Sequence, residues 1–304
     1  MDNRKIAGLL AEIVGSSNVF TDEPMIKHTS FKLGGPADYL VTPHDIAGLT
    51  GVCSVCEQNG IPLFVMGNGT NLIVRDKGIR GVVVKLKDNM SACRVEEECI
   101  YAQSGILLSH LSRIALEHGL TGLEFAEGIP GTLGGAVTMN AGAYGGEMSM
   151  VVENTEYLAR DAKVLTLDRR GHCFGKRSSY IQSDGGIVLE TQLKLNRGKK
   201  EEIRAKMEEF AARRRAKQPL DMPSAGSVFK RPEGLFAGKL VQDCGLKGYR
   251  IGGAEVSCLH CGFIVNGGSA TAADVITLIE HIQTAVLEQF CVELQTEVRI
   301  VGEQ

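Results

Sequence analysis

The feature that most constrains this chain is a cluster of glycines between 128 and 146, in the sequence GIPGTLGGAVTMNAGAYGG. The cluster holds seven glycines, and a shorter one, GNGTN at 67–71, directly follows an apolar run. Backbone without side chains approaches a ligand closely and can point several N–H groups at a phosphate. Two such loops suit the two phosphates and adjoining sugar of a dinucleotide, although each loop by itself is also explained as a set of tight turns.

The common nucleotide-binding motifs are absent. A Rossmann fingerprint requires a third glycine three residues after Gly69, and that position holds Leu72. The G-K-[ST] sequence of a P-loop does not occur in the chain. If a dinucleotide binds, it therefore binds in neither of these standard ways.

Length and charge limit the functional class. The chain has 304 residues, enough for two domains or one large one. Its 33 basic and 36 acidic residues give a net charge of −3, which argues against a dedicated nucleic-acid binder. An anionic small molecule is still compatible with this balance, because a local basic pocket suffices. We therefore expect a small-molecule ligand and no nucleic-acid partner.

The sequence gives no sign of membrane insertion or export. No segment approaches the roughly 20 apolar residues that span a bilayer. The apolar run at 6–11 stops at Glu12, and no small-residue cleavage site follows it. A cytoplasmic location is the expectation.

The nine cysteines form an odd number, which favours reduced thiols over a disulfide framework. Two C-x-x-C pairs, Cys53/Cys56 and Cys258/Cys261, could together supply four zinc ligands. Leu49, Cys53 and Cys56 share one helical stripe, so the first pair is interpreted as part of a core. The second pair lies far away, in a predicted turn-to-strand segment, and no metal site is predicted.

Hydrophobic periodicity predicts alternating helix and strand in the first part of the chain and mostly strand in the middle. The predicted helices cover 5–15, 45–59, 106–118, 201–216 and 272–290. The predicted strands cover 62–66, 72–74, 81–84, 151–158, 164–167, 186–195 and 292–301. Thr271 and Asp274 are predicted to cap the last helix. Soft domain boundaries fall near 85 and near 198.

Three polar residues stand in unusual surroundings. Glu297 and Arg299 point to the polar face of the predicted last strand, which a solvated face explains most simply. Ser227 lies in a turn that ends at Pro232, and it suits a proton donor, a phosphate contact or an ordinary turn. Arg177 lies between strands, where it could hold a carboxylate or phosphate by two hydrogen bonds or simply be a surface charge.

Ordered motifs along nearly the whole chain resemble one family, the UDP-N-acetylenolpyruvoylglucosamine reductases, or MurB family. The first are KHTSFKLGGPA at 27–37, GNGTN at 67–71 and GIPGTLGGAVTMNAGAYGGE at 128–147. Then follow FGKRSS at 174–179, KQPLDMPSAGSVFKRP at 217–232, AGKLVQDCGLKGYRIGGAEVS at 237–257, H-x-G-F-I-V-N at 260–266 and TEVR at 296–299. The first half is also similar to the wider FAD-binding superfamily of the vanillyl-alcohol-oxidase type.

The resemblance implies an α+β fold, with a two-lobed FAD-binding module of the vanillyl-alcohol-oxidase/MurB type and a C-terminal α+β substrate-binding domain. The implied domains are FAD-binding lobe 1 at 1–85, FAD-binding lobe 2 at 86–197 and a substrate-binding domain at 198–304, whose last strand is free to return to lobe 1. FAD is implied to bind tightly and non-covalently, with NADPH as co-substrate, in a monomeric enzyme of peptidoglycan precursor synthesis.

The resemblance also implies the reaction. NADPH reduces the flavin, and the flavin reduces the enolpyruvyl double bond of UDP-N-acetylglucosamine enolpyruvate to give UDP-N-acetylmuramate. Hydride addition leaves an enolate, which needs stabilisation at its carboxylate and then a positioned acid. By match to the family's motifs, Ser227 is the proton donor, while Arg177 and a protonated Glu297 hold the carboxylate.

The remaining implied contacts fall into two sets. The residues implied to contact FAD are Gly67, Asn68, Gly69, Thr70, Asn71, Leu72, Gly128, Ile129, Pro130, Gly131, Gly134, Gly135, Ala136, Asn140, Gly142 and Ala143. The residues implied to bind substrate are Lys217, Arg231, Lys239 and Lys176. Lys176 and Arg231 replace the family's usual Tyr and Asn, so we expect one of them to help hold the diphosphate or the carboxylate. The insertion that carries a substrate-covering Tyr is not evident, which makes the chain similar to the shorter subclass.

Two other functional classes stay open at this stage. One is a flavin oxidoreductase of the same superfamily that uses oxygen as acceptor, since His28, His110 and His118 leave a covalent flavin link possible in principle. The other is a non-catalytic nucleotide-sugar or metal-binding protein on the same fold, because fold and catalysis are separable.

Overall fold

The computed structural model describes residues 3–304, whose contacts divide the chain into two compact units. Unit 1 comprises the described part of Met1–Thr21 together with Tyr39–Asn68 and Gly81–Arg214. Unit 2 comprises Asp22–Asp38, Gly69–Arg80 and Arg215–Gln304. The division into three domains, with boundaries near 85 and 198, stays a prediction.

The predicted helices all form, with ends that differ from the prediction by a few residues. The α-helices of the described chain are α1 (Asn3–Val14), α2 (Ile46–Gln58), α3 (Leu108–Glu117), α4 (Leu133–Thr138), α5 (Tyr180–Asp184), α6 (Lys200–Lys217), α7 (Ala237–Asp243) and α8 (Ala272–Phe290). Within this described part, no helix has the length and apolar character to cross a membrane.

The strands are short and numerous. They are β1 (Val19–Pro24), β2 (Pro36–Val41), β3 (Leu63–Met66), β4 (Leu72–Val74), β5 (Ile79–Lys85), β6 (Cys93–Glu96), β7 (Cys99–Gln103), β8 (Leu120–Thr121), β9 (Gly142–Ala143), β10 (Gly146–Glu147), β11 (Val152–Leu158), β12 (Val164–Asp168), β13 (Ile187–Lys194), β14 (Asn196–Arg197), β15 (Ser224–Ser227), β16 (Arg250–Ile251), β17 (Ala254–Val256), β18 (Phe263–Asn266) and β19 (Arg299–Val301). Among the strands of four or more residues, sequence periodicity missed β1, β2, β6, β7 and β15.

Unit 1 holds two hydrophobic cores. The first lies between α1, α2 and a four-stranded sheet of order β1-β2-β5-β3, and it includes Cys56, as the helical stripe predicted. The second lies between α3, α4 and an antiparallel five-stranded sheet of order β12-β11-β13-β7-β6. The predicted β-rich middle region is therefore confirmed.

Unit 2 is organised around α8. Its apolar stripe of Val275, Leu278, Ile279, Ile282 and Val286 is at most 2% exposed and packs in a core that includes α7 and the sheet β15-β18-β17-β16. The predicted cap is confirmed. The Thr271 hydroxyl accepts a hydrogen bond from the Asp274 amide (3.1 Å), and the Asp274 carboxylate accepts one from the Thr271 amide (3.0 Å).

The predicted strand over 292–301 is wrong in length. Only Arg299–Val301 forms a strand, paired in parallel with β4 so that Arg299 lies opposite Leu72. Before it, the chain makes separate bonds: the Lys230 amide donates to the Gln295 carbonyl (2.8 Å), and the Glu297 amide donates to the Val228 carbonyl (2.7 Å). A ladder needs regularly repeated pairing, and these contacts are isolated.

Asp76 supplies a second cap to α8 from a distant part of unit 2. Its carboxylate accepts hydrogen bonds from the amides of Ala272 (2.8 Å) and Ala273 (2.9 Å), at the positive end of the helix dipole. We expect Asp76→Ala to lower the free energy of unfolding by about 1–2 kcal/mol. Urea titration measures this, with Glu288→Ala, an exposed position on the same helix, as a control that changes little. Equal effects of the two substitutions would contradict the capping role.

Candidate active site

Unit 1 brings the first glycine loop against the second. The side-chain amide of Asn68 donates a hydrogen bond to the Pro130 carbonyl (2.8 Å). A Cβ on Gly67 would lie 2.1 Å from Oγ1 of Thr132, far inside contact distance. The two loops thus touch through backbone that has no room for a side chain.

The second loop is held in place by the segment before α3. The Gly131 carbonyl accepts from the Leu108 amide (3.0 Å), while the Leu133 amide donates to the Ile106 carbonyl (2.8 Å). Thr132, between these two anchors, is 2% exposed and forms a bridge with Leu107. The loop therefore enters α4 along a fixed path.

The rest of the first loop belongs to unit 2 and is fixed through its carbonyl oxygens. Those of Gly69 and Asn71 accept from the amides of Ser30 (3.1 Å) and Arg299 (3.0 Å). Within residues 3–304, the amides of Gly69, Thr70 and Asn71 donate to no other group of the chain. Backbone N–H groups of this kind suit the phosphates of a dinucleotide such as FAD.

The Arg177 side chain is bound to the end of the second glycine loop. Its guanidinium donates to the carbonyls of Gly142 (3.1 Å) and Asn140 (3.4 Å). Asn140 is 2% exposed, and its side chain donates to the Gly175 carbonyl (3.0 Å) and accepts from the Ser149 amide (3.0 Å). The backbone φ of Arg177 is 58°, in the left-handed region that residues other than glycine seldom adopt. The surrounding structure therefore holds the arginine in an unfavourable backbone conformation.

His172 lies at the base of the loop that carries Arg177, where its carbonyl accepts from the Tyr180 amide (2.8 Å). The imidazole has no exposed surface and stacks on Phe174 with ring centroids 4.5 Å apart. In the described structure neither ring nitrogen has a hydrogen-bond partner. Burial lowers the pKa of His172 to about 4, against a smaller opposing effect of the Asp168 charge. The ring is therefore neutral at physiological pH.

Unit 2 joins the segments that carry Ser227 and Glu297. Ser227 ends β15 opposite Phe263, and its hydroxyl is 3.4 Å from the Phe229 carbonyl. The next residue, Val228, accepts at its carbonyl from the Glu297 amide (2.7 Å). Asn71 donates from its side chain to the Glu297 carbonyl (3.1 Å). Both side chains are half-buried, so each has a fixed backbone and a solvent-accessible edge.

The four cationic substrate candidates lie in different surroundings. Arg231 donates from Nε to the Leu235 carbonyl (3.1 Å), and its guanidinium lies 3.9 Å from the Phe236 ring centroid. Lys239 pairs with Asp243 one turn along α7. Lys176 is exposed beside Arg177, and Lys217 is exposed at the end of α6.

His260, which sequence reasoning gave no role, lies across Gly262 from Ser227. A Cβ on Gly262 would be 2.8 Å from Cε1 of His260 and 3.5 Å from the Ser227 hydroxyl, and a Cβ on Gly238 would be 3.1 Å from the same ring carbon. The Gly262 amide donates to Nδ1 (3.0 Å), so the neutral ring carries its proton on Nε2. Burial lowers the His260 pKa, and the charge of Lys217 adds to this effect. The H-x-G spacing was the only sequence signal, because Gly238 comes from α7.

Comparison with known proteins first defines the class. The model of the FAD binding domain matches residues 37–168, which include both glycine loops. The structure of p-cresol methylhydroxylase has a similar fold, with a TM-score of 0.50 and 16% identity over 64% of this chain and 43% of that chain. The chain is an FAD-dependent oxidoreductase of the predicted α+β fold class, with an FAD-binding domain followed by a separate C-terminal part.

The C-terminal part identifies the family. The model of the UDP-N-acetylenolpyruvoylglucosamine reductase C-terminal domain matches residues 218–301. A reductase of this name from Alkaliphilus metalliredigens is 52% identical over 100% of both chains. The crystal structure of the enzyme of this name from Thermus caldophilus has a TM-score of 0.80 and 35% identity, covering 93% of this chain and 97% of that one. The chain belongs to the UDP-N-acetylenolpyruvoylglucosamine reductase family, as its motifs predicted.

The contact between Gly67 and Thr132 predicts the effect of a methyl group. Gly67→Ala should separate the loops and weaken FAD binding roughly tenfold, since forced overpacking costs about 1–3 kcal/mol. Flavin content and FAD titration by fluorescence measure this. Gly8→Ala is the control, because a Cβ there meets no atom within 4 Å. Adding Thr132→Ala should restore part of the affinity, and unchanged FAD binding in Gly67→Ala would refute the steric argument.

The buried His172 predicts an acid sensitivity. An unfolded histidine titrates near pH 6.5, so as the pH falls from 6.5 to about 4 the unfolded chain takes up a proton that the folded chain does not. Stability is lost through that window. His172→Phe keeps an aromatic ring against Phe174 and should lose less stability between these pH values, measured by urea titration. The exposed control His110→Phe should behave like the original protein, and the same acid loss in both variants would contradict the assignment.

Proposed function

We propose that the chain reduces the enolpyruvyl double bond of UDP-N-acetylglucosamine enolpyruvate with electrons from NADPH, producing UDP-N-acetylmuramate for peptidoglycan precursor synthesis. The proposal includes a monomeric, cytoplasmic enzyme. The observation that carries it is the backbone hydrogen bond from Glu297 to Val228, the residue after Ser227, within the segment that matches the family's C-terminal domain. A hydroxyl donor and a carboxyl group that are both half-buried, on segments joined by this bond, suit a reaction that ends with protonation beside a carboxylate.

Residues 67–72 and 128–143 would hold FAD, with backbone N–H groups and the close approach at Gly67 suited to its diphosphate. When bound, FAD supplies the chemistry of accepting hydride from NADPH and delivering it to the double bond. The chain's own residues provide orientation and electrostatics around that chemistry.

Arg177 and Glu297 would bind the substrate carboxylate. The carbonyls of Gly142 and Asn140 orient the guanidinium before substrate arrives, so little reorganisation is needed as negative charge develops. Glu297 would contribute as the neutral acid, because two carboxylates at one place repel each other. The Glu297 backbone is held at both polar groups: its carbonyl accepts from the Asn71 side chain and its amide donates to the Val228 carbonyl. These bonds fix the position of the backbone that carries the carboxyl group.

Ser227 would give its proton to the carbon next to the carboxylate. Ser227 lies at the end of β15 and pairs with Phe263, so the backbone that carries the hydroxyl is fixed by the sheet. Lys217, Lys239, Lys176 and Arg231 would supply positive charge to the nucleotide diphosphate and carboxylate. The stack on Phe236 orients the Arg231 guanidinium for such a contact.

Replacement of Ser227 separates the two half-reactions. Ser227→Ala should leave bleaching of the flavin absorbance by NADPH nearly unchanged but slow its return after the enolpyruvyl nucleotide sugar is added, by about 10²–10⁴-fold. Anaerobic stopped-flow absorbance measures both steps. Ser227→Cys, which retains a proton donor, should recover part of the rate. Equal losses in the two half-reactions would refute the proton-donor role. If the reduced flavin of the unsubstituted protein were not reoxidised by the sugar nucleotide, the proposed substrate would be wrong.

A further inference from the structure

Two cysteines lie in the loop that joins β17 to β18. The Ser257 amide donates to the Phe263 carbonyl (2.9 Å) and closes this loop at its base. Within it, the Ser257 hydroxyl accepts from the amides of Leu259 (3.2 Å) and His260 (3.3 Å), and the Phe263 amide donates to the His260 carbonyl (2.9 Å). The chain reverses direction here, between Cys258 and Cys261.

The two thiols differ in exposure and interact electrostatically. Cys258 is exposed, with its sulfur 3.6 Å from the Glu255 carboxylate, whereas Cys261 is 7% exposed in the core of unit 2. Burial raises the pKa of Cys261, the charge of Lys247 opposes this, and the charge of Cys258 raises it further. An accessible thiol with a shielded partner three residues later is the arrangement of C-x-x-C redox pairs.

The other C-x-x-C pair provides an internal comparison. Cys53 and Cys56 lie on α2, where no turn brings the chain back on itself. Burial raises the pKa of each of these thiols to about 11, so little of either is present as thiolate. The same spacing therefore lies on a regular helix at one place and in a reversing loop at the other.

We propose that Cys258 and Cys261 form a reversible disulfide that slows this reductase, the effect on turnover resting on the function proposed above. The Cys258 thiolate attacks a low-molecular-weight disulfide, forms a mixed disulfide and releases one small thiol. The Cys261 thiolate then attacks the Cys258 sulfur and releases the second. The two cysteines lose two electrons and two protons in total, and the small disulfide becomes two thiols.

The loop connects this bond to the active site. Both thiols are free in the structure, one exposed and one buried, so forming the bond requires the side chains of Cys258 and Cys261 to rotate towards each other into disulfide geometry. Its neighbour Gly262 accepts at its carbonyl from the Val228 amide (2.9 Å) and donates from its amide to His260. A displacement of Cys261 therefore shifts Gly262 and, through its two hydrogen bonds, displaces Val228, which follows Ser227, and the His260 ring.

Mapping of the bond tests the modification independently of activity. The full chain is incubated with oxidised glutathione, unfolded in urea, alkylated with iodoacetamide and cleaved after glutamate. The bond between Glu23 and Pro24 resists this cleavage, so Cys258 and Cys261 are alone on peptide 256–280 and the α2 pair is on peptide 13–57. We expect 256–280 without alkyl groups and lighter by two hydrogen atoms, with 13–57 alkylated twice. Two alkyl groups on 256–280, or glutathione that persists on Cys258, would overturn the proposal.

Turnover with the enolpyruvyl nucleotide sugar tests the consequence. Oxidation should lower it about tenfold, and dithiothreitol should restore it. Cys258→Ser should keep its rate under oxidant, whereas the exposed control Cys291→Ser should be inhibited like the original protein. Full turnover of protein with a mapped disulfide, or equal inhibition of Cys258→Ser, would overturn the regulatory role. If the protein with free thiols did not turn over the sugar nucleotide at all, the proposed function would be refuted instead. The peptide map would still show whether the disulfide forms.

Discussion

The arrangement of the two glycine loops in unit 1 depends on one close contact, between the backbone of Gly67 and the side chain of Thr132. Gly67 lies so close to Thr132 that a methyl group would be only 2.1 Å from the threonine oxygen. That contact joins residues 65 positions apart in sequence and fixes where the second loop enters α4. The position of Arg177 follows from it, because the guanidinium is bound to the carbonyls at the end of that second loop.

Buried amides have the same connecting role in unit 2. The side chain of Asn266 donates to the carbonyls of Phe31 and Lys32 (3.2 Å each) and accepts from the amides of Gly268 (2.9 Å) and Ala270 (3.1 Å). A buried amide with every partner satisfied specifies one arrangement of the segments around it. The KHTSFKLGGPA and H-x-G-F-I-V-N motifs, far apart in sequence, are therefore parts of one local structure.

The sequence predicted most where a pattern repeats along the chain. The 3.6-residue stripe and capping pair of α8 gave its location, its bounds and its buried face. The last strand was predicted too long, because alternation of apolar and polar residues also arises where a chain makes single, separate bonds. The strands β1 and β2 were missed, since short strands in mixed surroundings carry little periodicity.

The sequence by itself determined the residue types and their spacing: glycines that permit close approach, a hydroxyl, an arginine and a carboxylate in family motifs. Only the tertiary structure decided which of them meet. It bonded the Glu297 amide to the carbonyl of Val228, the residue after Ser227, and it enclosed His260 between Gly238 and Gly262. It also gave Asn140, predicted as a cofactor contact, buried bonds to Gly175 and Ser149. These contacts join residues distant in sequence, and their geometry follows from the packing of whole elements, which local patterns do not encode.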